Sequence, residues 1–315
     1  MTDTSTKQST EKFEQSLVNE LAREVLNEQR RNRRWGIFFK LLLALYLFAF
    51  FVIYISNNTG MKNFTGEGHT ALVDIQGVIA ADTEARADYI VTGLRDAFED
   101  KNTKGVILRI NSPGGSPVQA GYVNDEIKRL REKYPDIPLY AVISDVCASG
   151  GYYIAAAADK IYANKASIVG SIGVIMSGFG FVDAIEKLGV ERRLLHAGEH
   201  KGFMDPFQPI NNEEVKHVQG LLDEIHQQFI DVVKEGRGKR LSDDKNLFSG
   251  LIWTGEESIK MGLVDELASA SQVARDVIGA EEIVDYTKHE NYLDRFANRI
   301  GSAMLQSISK SPELR

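Results

Sequence analysis

The chain has 315 residues, enough for one large domain or two small ones. Its 43% hydrophobic and 26% charged residues match an ordinary globular composition and exclude wholesale disorder or a fibrous repeat. A formal charge of −7 argues against a nucleic-acid partner, and a single cysteine, Cys147, excludes an internal disulfide or a cysteine-built zinc cage.

Residues 1–35 read as a polar arm with an amphipathic stretch over 13–26. Residues 36–55, GIFFKLLLALYLFAFFVIYI, are apolar except for Lys40, and about twenty helical residues cross a bilayer. Lys40 is near enough to one end to snorkel, and Trp35 and Tyr54 suit the two interfaces. Arg30, Arg31, Arg33 and Arg34 precede the span, whereas no basic residue follows until Lys62. The positive-inside rule therefore predicts a single-pass anchor in contact with lipid, its N-terminus cytoplasmic and its body periplasmic or otherwise extracytoplasmic. The length of the run and the lack of a small-residue cleavage pattern argue against a removed signal peptide.

A polar linker over 56–68 leads to the body, 69–285, and then to a tail over 286–315. Within the body, apolar and β-branched runs predict strands over 70–79, 105–110 and 138–144. Helical periods intervene over 84–100 and 118–133. A small-residue helix is expected from 149 onward, followed by short strands over 160–163 and 173–176, a helix over 182–188 and a strand over 190–195. A long helix over 212–235, a short one over 256–261 and an amphipathic tail helix over 289–309 complete the reading. Strand and helix alternate through most of 70–195, which implies an α/β fold with mainly parallel strands, and ligands bind such sheets at the carboxyl ends of the strands.

Two turns fall at that edge. The first, Ile110-Asn111-Ser112-Pro113-Gly114-Gly115-Ser116-Pro117, exposes backbone N–H groups but lacks the Gly-Lys-Ser/Thr ending of a phosphate loop. Alone it reads as a strand-to-helix turn. The second holds Ser149 between a strand and an alanine-rich helix, where helix N–H groups can stabilise an oxyanion or Ser149 can simply cap the helix. No Gly-x-Ser-x-Gly elbow surrounds it, which argues against a Ser-His-Asp triad. A lysine kept neutral by desolvation can serve serine as base, and Lys201 lies among Phe203, Met204 and Phe207. Taken alone, Lys201 reads as a surface lysine; His196 and His200 are rival bases and form the one histidine pair at helical spacing. A single such pair is weak grounds for a metal, and no metal or cofactor is expected.

Taken in order, Asn111-Ser112-Pro113-Gly114-Gly115, Ala148-Ser149-Gly150-Gly151-Tyr152-Tyr153, Gly170-Ser171-Ile172-Gly173-Val174, His200-Lys201, Trp253-Thr254-Gly255-Glu256-Glu257-Ser258 and Gly262-Leu263-Val264-Asp265 resemble the signal peptide peptidase A family in its short form. The resemblance covers roughly residues 69–268. It implies a crotonase-like fold of stacked ββα units, shared with the proteolytic subunit of the Clp protease. It further implies a Ser-Lys dyad with Ser149 as nucleophile, Lys201 as general base and Ser171 orienting the lysine. Gly150 with Gly114 or Gly115 would form the oxyanion hole. A ring-shaped homo-oligomer with the dyad completed between subunits follows from the same likeness, as do peptide substrates such as remnant signal peptides, with small or apolar side chains at the cleavage site. Acyl-CoA chemistry on the same scaffold and a non-catalytic membrane scaffold are the alternatives.

Overall fold

The computed structural model describes residues 28–52 and 68–289. The amphipathic stretch over 13–26, nearly all of the linker and the tail helix fall outside these residues. The chain divides into two compact units, residues 1–65 and 66–315. In the first, helix α1 (Glu28–Val52) is long and apolar enough to cross a membrane, and none of its most apolar stretch is buried against protein. Trp35 stacks on Phe39 near its arginine-rich beginning.

The second unit is built on an eight-stranded sheet, nearly all parallel. Its strands are β1 (His69–Gln76), β2 (Thr103–Ser112), β3 (Leu139–Ala148), β4 (Lys160–Ala163), β5 (Ile168–Gly170), β6 (Ile252–Thr254), β7 (Glu266–Leu267) and β8 (Ile283–Asp285). The spatial order is β6-β5-β3-β2-β1-β8, with β4 and β7 branching from β3. Among the described strands, β5 and β6 are the pair that runs antiparallel. Strand β3 serves two partners in succession: its first half pairs with β4 and its last residues pair with β5.

Both faces of the central strands are covered, which is why β1 and β2 read as near-continuous apolar runs. Alternate residues Val73, Ile75, Leu108 and Ile110 face one core with helices α2 (Ala87–Glu99), α3 (Pro117–Lys133) and α4 (Gly150–Ala155). Leu72, Ile107, Val142 and Tyr162 face a smaller cluster closed by α8 (Ala270–Gln272) and the π-helical turn Val273–Ile278. Helix α2 turns Ile90, Leu94 and Phe98 inward at helical spacing. Helix α3 starts where Pro117 supplies a fixed φ and the Ser116 hydroxyl accepts from the Gln119 N–H.

Helix α6 (Asn212–Arg237) is buried mainly through its C-terminal half, at Phe229, Val233 and Arg237. Arg237 is fully buried and donates to both oxygens of Asp265, at 2.8 and 2.9 Å, and to the Gly262 carbonyl. Asp265 also accepts from the Ile161 N–H at 2.7 Å, which fixes the helix end to β4. Burial on its own would raise the Asp265 carboxyl pKa; the Arg237 hydrogen bonds outweigh it and hold the group below the usual carboxylate range. Helix α7 (Gly255–Lys260) follows β6 under a Thr254 cap.

Two predicted strands are absent. Residues 173–176 and 190–195 carry no strand, and the segment between β5 and α6 holds only the short helix α5 (Val182–Lys187). The chain leaves the sheet at Gly170 and Ser171, both with positive φ. Among the described residues, the apolar ones beyond them have no neighbouring strand to pair with. Ile175 is 86% exposed, Phe179 81% and Leu195 96%.

Candidate active site

The two glycine turns meet through a bulge. Between β2 and β3 the register jumps from Ile110 opposite Ile143 to Ser112 opposite Cys147, so β3 carries extra residues and bends. Asn111 bridges the bend: its side-chain amide donates to Asp145 at 3.1 Å and accepts from the Val146 N–H at 3.3 Å. Ser149 is thereby delivered next to the first turn, at the start of α4.

Ser149 has φ 50° and ψ −123°, a conformation that L residues rarely adopt. Holding it there costs about 1–3 kcal/mol, a strain found mostly at functional sites. The constraint comes from both sides, since the Ser149 N–H donates to the Gly170 carbonyl at 2.9 Å and its carbonyl accepts from Tyr153 at 3.0 Å. Its side chain makes no capping bond, although it occupies the cap position. Among the described residues Ser149, Ser171 and Met204 are the non-glycine residues with positive φ, and each lies in a segment that the motifs single out.

The first turn supplies the donors. Ile79 forms an isolated parallel bridge with Gly115: its N–H donates to the Gly114 carbonyl at 2.9 Å and its carbonyl accepts from Ser116 at 2.7 Å. In a parallel bridge of this kind the middle residue turns its own N–H to the opposite side, so that of Gly115 points away from Ile79. The Gly114 N–H is already taken by the Ser112 hydroxyl at 3.1 Å. A Cβ on Gly114 would lie 2.7 Å from that of Ser149, and a Cβ on Gly115 would lie 2.1 Å from the Ile79 carbonyl oxygen, so neither position has room for a side chain. The position a Cβ would take on Gly150 is 3.3 Å from the Gly115 nitrogen. Gly150 is the first residue of α4, where a backbone N–H has no partner within the helix. Of the two turn glycines, Gly114 thus has its N–H engaged by Ser112, whereas the Gly115 nitrogen lies beside Gly150.

Ser171 follows Gly170, the residue whose carbonyl holds the Ser149 N–H, and its own N–H donates to Leu251 at 2.7 Å. Gly170 packs so closely under Trp253 that a Cβ would fall 2.8 Å from the indole ring. Ser149, Gly115 and Gly150 open into a cavity of about 440 Å³, walled by apolar side chains that include Val118, Val174, Ile175 and Phe229. Cys147, immediately before the turn, is buried, and burial pushes its thiol pKa far up, which makes it an inert packing group.

Lys201 is not brought to this cavity within the chain. It lies in the turn over 198–204, exposed, on the segment that has left the sheet. His196 and His200 lie on the same segment, also exposed and outside the cavity lining. The sequence missed the strained Ser149 backbone, whose one legible signal was the pair of glycines directly after the serine.

Comparison with known proteins places the chain in a family. Residues 131–282 match the model of peptidase family S49. An Enterococcus faecium protein, provisionally named signal peptide peptidase SppA, is 33% identical over 236 residues, covering 72% of this chain and 68% of its own length. The chain belongs to peptidase family S49. The S49 membership agrees with the likeness carried by the ordered motifs, and the mainly parallel α/β sheet with its preceding apolar helix agrees with the fold expected of them. A Na(+)/H(+) antiporter NhaA of Brucella abortus is 45% identical over 186 residues, which cover 59% of this chain and 25% of that protein. The chloroplastic serine protease SPPA of Arabidopsis thaliana is 32% identical over 187 residues, 59% of this chain and 27% of that protein. The S49 chain therefore spans about a quarter of the length of these two relatives.

Proposed function

We propose that the chain is a membrane-anchored serine endopeptidase that uses a Ser149–Lys201 dyad to clear remnant signal peptides and other membrane-associated peptides. The observation that carries this reading is the backbone of Ser149, strained to φ 50° with an uncapped hydroxyl, beside the N–H groups of Gly115 and Gly150. In the proposed reaction the Ser149 Oγ attacks the peptide carbonyl carbon while its proton passes to the Lys201 Nζ. The carbonyl oxygen, now an oxyanion, accepts from Gly115 and Gly150, which is worth about two to three orders of magnitude in rate per donor. Collapse breaks the C–N bond, and the leaving amine takes the proton from the lysine. Water then cleaves the ester on Ser149 with the same lysine as base. Ser171 orients the Nζ through its hydroxyl.

A lysine acts as base only when desolvation disfavours its charged form, and the exposed Lys201 needs a covering surface for that. A second copy is the proposed source. Exposed Ile175, Phe179 and Leu195 on the same segment support this, because large apolar side chains left open to solvent suit a protein–protein contact. In a ring of copies each extended segment would carry its Lys201 to the Ser149 of a neighbour. The apolar helix α1 supports anchoring, with the arginines on the cytoplasmic side and the body outside. The names of the Enterococcus and Arabidopsis relatives support peptides as the substrate class.

Complementation tests the reading. Ser149→Ala and Lys201→Ala each remove peptide hydrolysis, and mixing the two variants through a dissociation step restores part of it. Full activity in Ser149→Ala contradicts the proposed nucleophile; inactive mixtures from rings shown to contain both variants contradict the dyad between copies.

A further inference from the structure

The cavity that holds Ser149 is not uniformly apolar. Along α3, Val118, Tyr122 and Asp125 lie at successive turns and all three line it. Among the described residues that line it, Asp125 is the charged one. Its neighbours in sequence and space are neutralised by ion pairs. Glu126 is buried between Arg95 and Arg129, and Glu235 of α6 pairs with Lys128 at 2.6 Å. Asp125 has no ion pair or side-chain hydrogen bond among the described residues and is exposed.

Aromatic faces accompany this carboxylate. Tyr122, on the turn before it, is exposed, and Tyr153 packs against Phe229 with ring centroids 5.2 Å apart. Burial raises the Tyr153 phenol pKa, and the negative charges of Asp125 and Glu235 add to the rise, which puts Asp125 within electrostatic reach of that ring. A free carboxylate beside the exposed ring of Tyr122 and the half-buried ring of Tyr153 is complementary to an ammonium or guanidinium group, through charge and through cation–π attraction. Nothing in the Ser-Lys chemistry uses it.

Pro117, two residues after Gly115 and lining the same cavity, stands eight residues before Asp125 along α3, a rise of about 12 Å. An extended peptide covers that distance in about four residues. We propose that Asp125 selects peptides with a lysine or arginine side chain within about four residues of the bond cleaved at Ser149. The selection rests on the peptidase reading of the same cavity.

The test uses N-acetylated peptides that differ at one position, Lys against Gln against Glu, scanned over four positions on each side of a fixed cleavage site. Full-length chain, Asp125→Asn and Asp125→Lys are compared by kcat/KM at low salt. The expected result is a Lys-over-Gln ratio of about tenfold at one position, a sum of modest charge-pair and cation–π effects. That ratio falls to near one in Asp125→Asn, and Asp125→Lys prefers Glu at the same position. An unchanged Lys-over-Gln ratio in Asp125→Asn, with turnover intact, overturns the selectivity and leaves the peptidase reading standing. A preference that is absent from the acetylated peptides and appears only in a companion set with free amino termini overturns the side-chain assignment. No cleavage of any peptide by the unmodified chain overturns the peptidase reading, and the selectivity with it.

Discussion

Gly150→Ala separates the oxyanion hole from the fold. Gly150 opens α4 with helical backbone, so alanine needs no strained φ there and gains a little in helix propensity. The new methyl would sit 3.3 Å from the Gly115 nitrogen, 3.5 Å from the Ala120 Cβ and 3.7 Å from the Gly114 Cα. Only the first contact is tight and needs the Gly115 backbone to give by a few tenths of an ångström, so the overpacking cost of about 1–3 kcal/mol is partly offset by the helix propensity gained. The methyl nevertheless fills the space between the two donors proposed for the oxyanion. Loss of one such donor costs about 10²–10³ in kcat, or about 2.7–4 kcal/mol of transition-state stabilisation. Peptide hydrolysis and thermal unfolding are measured side by side on the full-length variant, with Gly220→Ala as control because a Cβ there meets nothing within 4 Å. Gly150→Ala with a wild-type melting curve and activity within twofold of wild type refutes the proposed hole. A drop in activity matched by a large loss of stability refutes the packing on which the prediction rests.

Three further outcomes follow from the body of the fold. Asp265→Ala leaves the fully buried Arg237 without its carboxylate and should cost about 3–5 kcal/mol, read as a lower urea midpoint. Hydrogen bonds from Arg129 and then Arg95 hold Glu126 at a pKa of about 2, below its ordinary value, so it stabilises the folded chain above pH about 4.5. That contribution fades as pH falls from there toward 2, and Glu126→Gln should flatten the decline in melting temperature over this window. Cys147 should resist alkylation in the folded chain and react on unfolding, as mass spectrometry of the alkylated protein would show.

The central strands were legible because they are buried on both faces: the runs around Leu72, Val73, Ile107 and Leu108 need no partner information to be read as strands. Strands β5, β6 and β8 are three residues each and owe their existence to pairing, which a linear pattern does not carry. The false strands over 173–176 and 190–195 have the opposite cause. Their apolar residues are real, but among the described residues no strand of the sheet covers them. At the site, Ser149, Ser171 and the two glycine turns were visible as motifs, whereas the choice of Gly115 over Gly114 depends on the bridge to Ile79. Asp125 went unread because its meaning comes from α6, about a hundred residues away in sequence, closing the cavity over it.

The claim that Ser149 is the nucleophile is tested most directly by incubating the full-length chain with a fluorophosphonate and mapping the adduct by mass spectrometry. The predicted result is one modification, on Ser149, that disappears in Ser149→Ala and weakens in Lys201→Ala. An unmodified Ser149 in chain that is actively cleaving peptide, or an adduct on another serine that accounts for the lost activity, contradicts it.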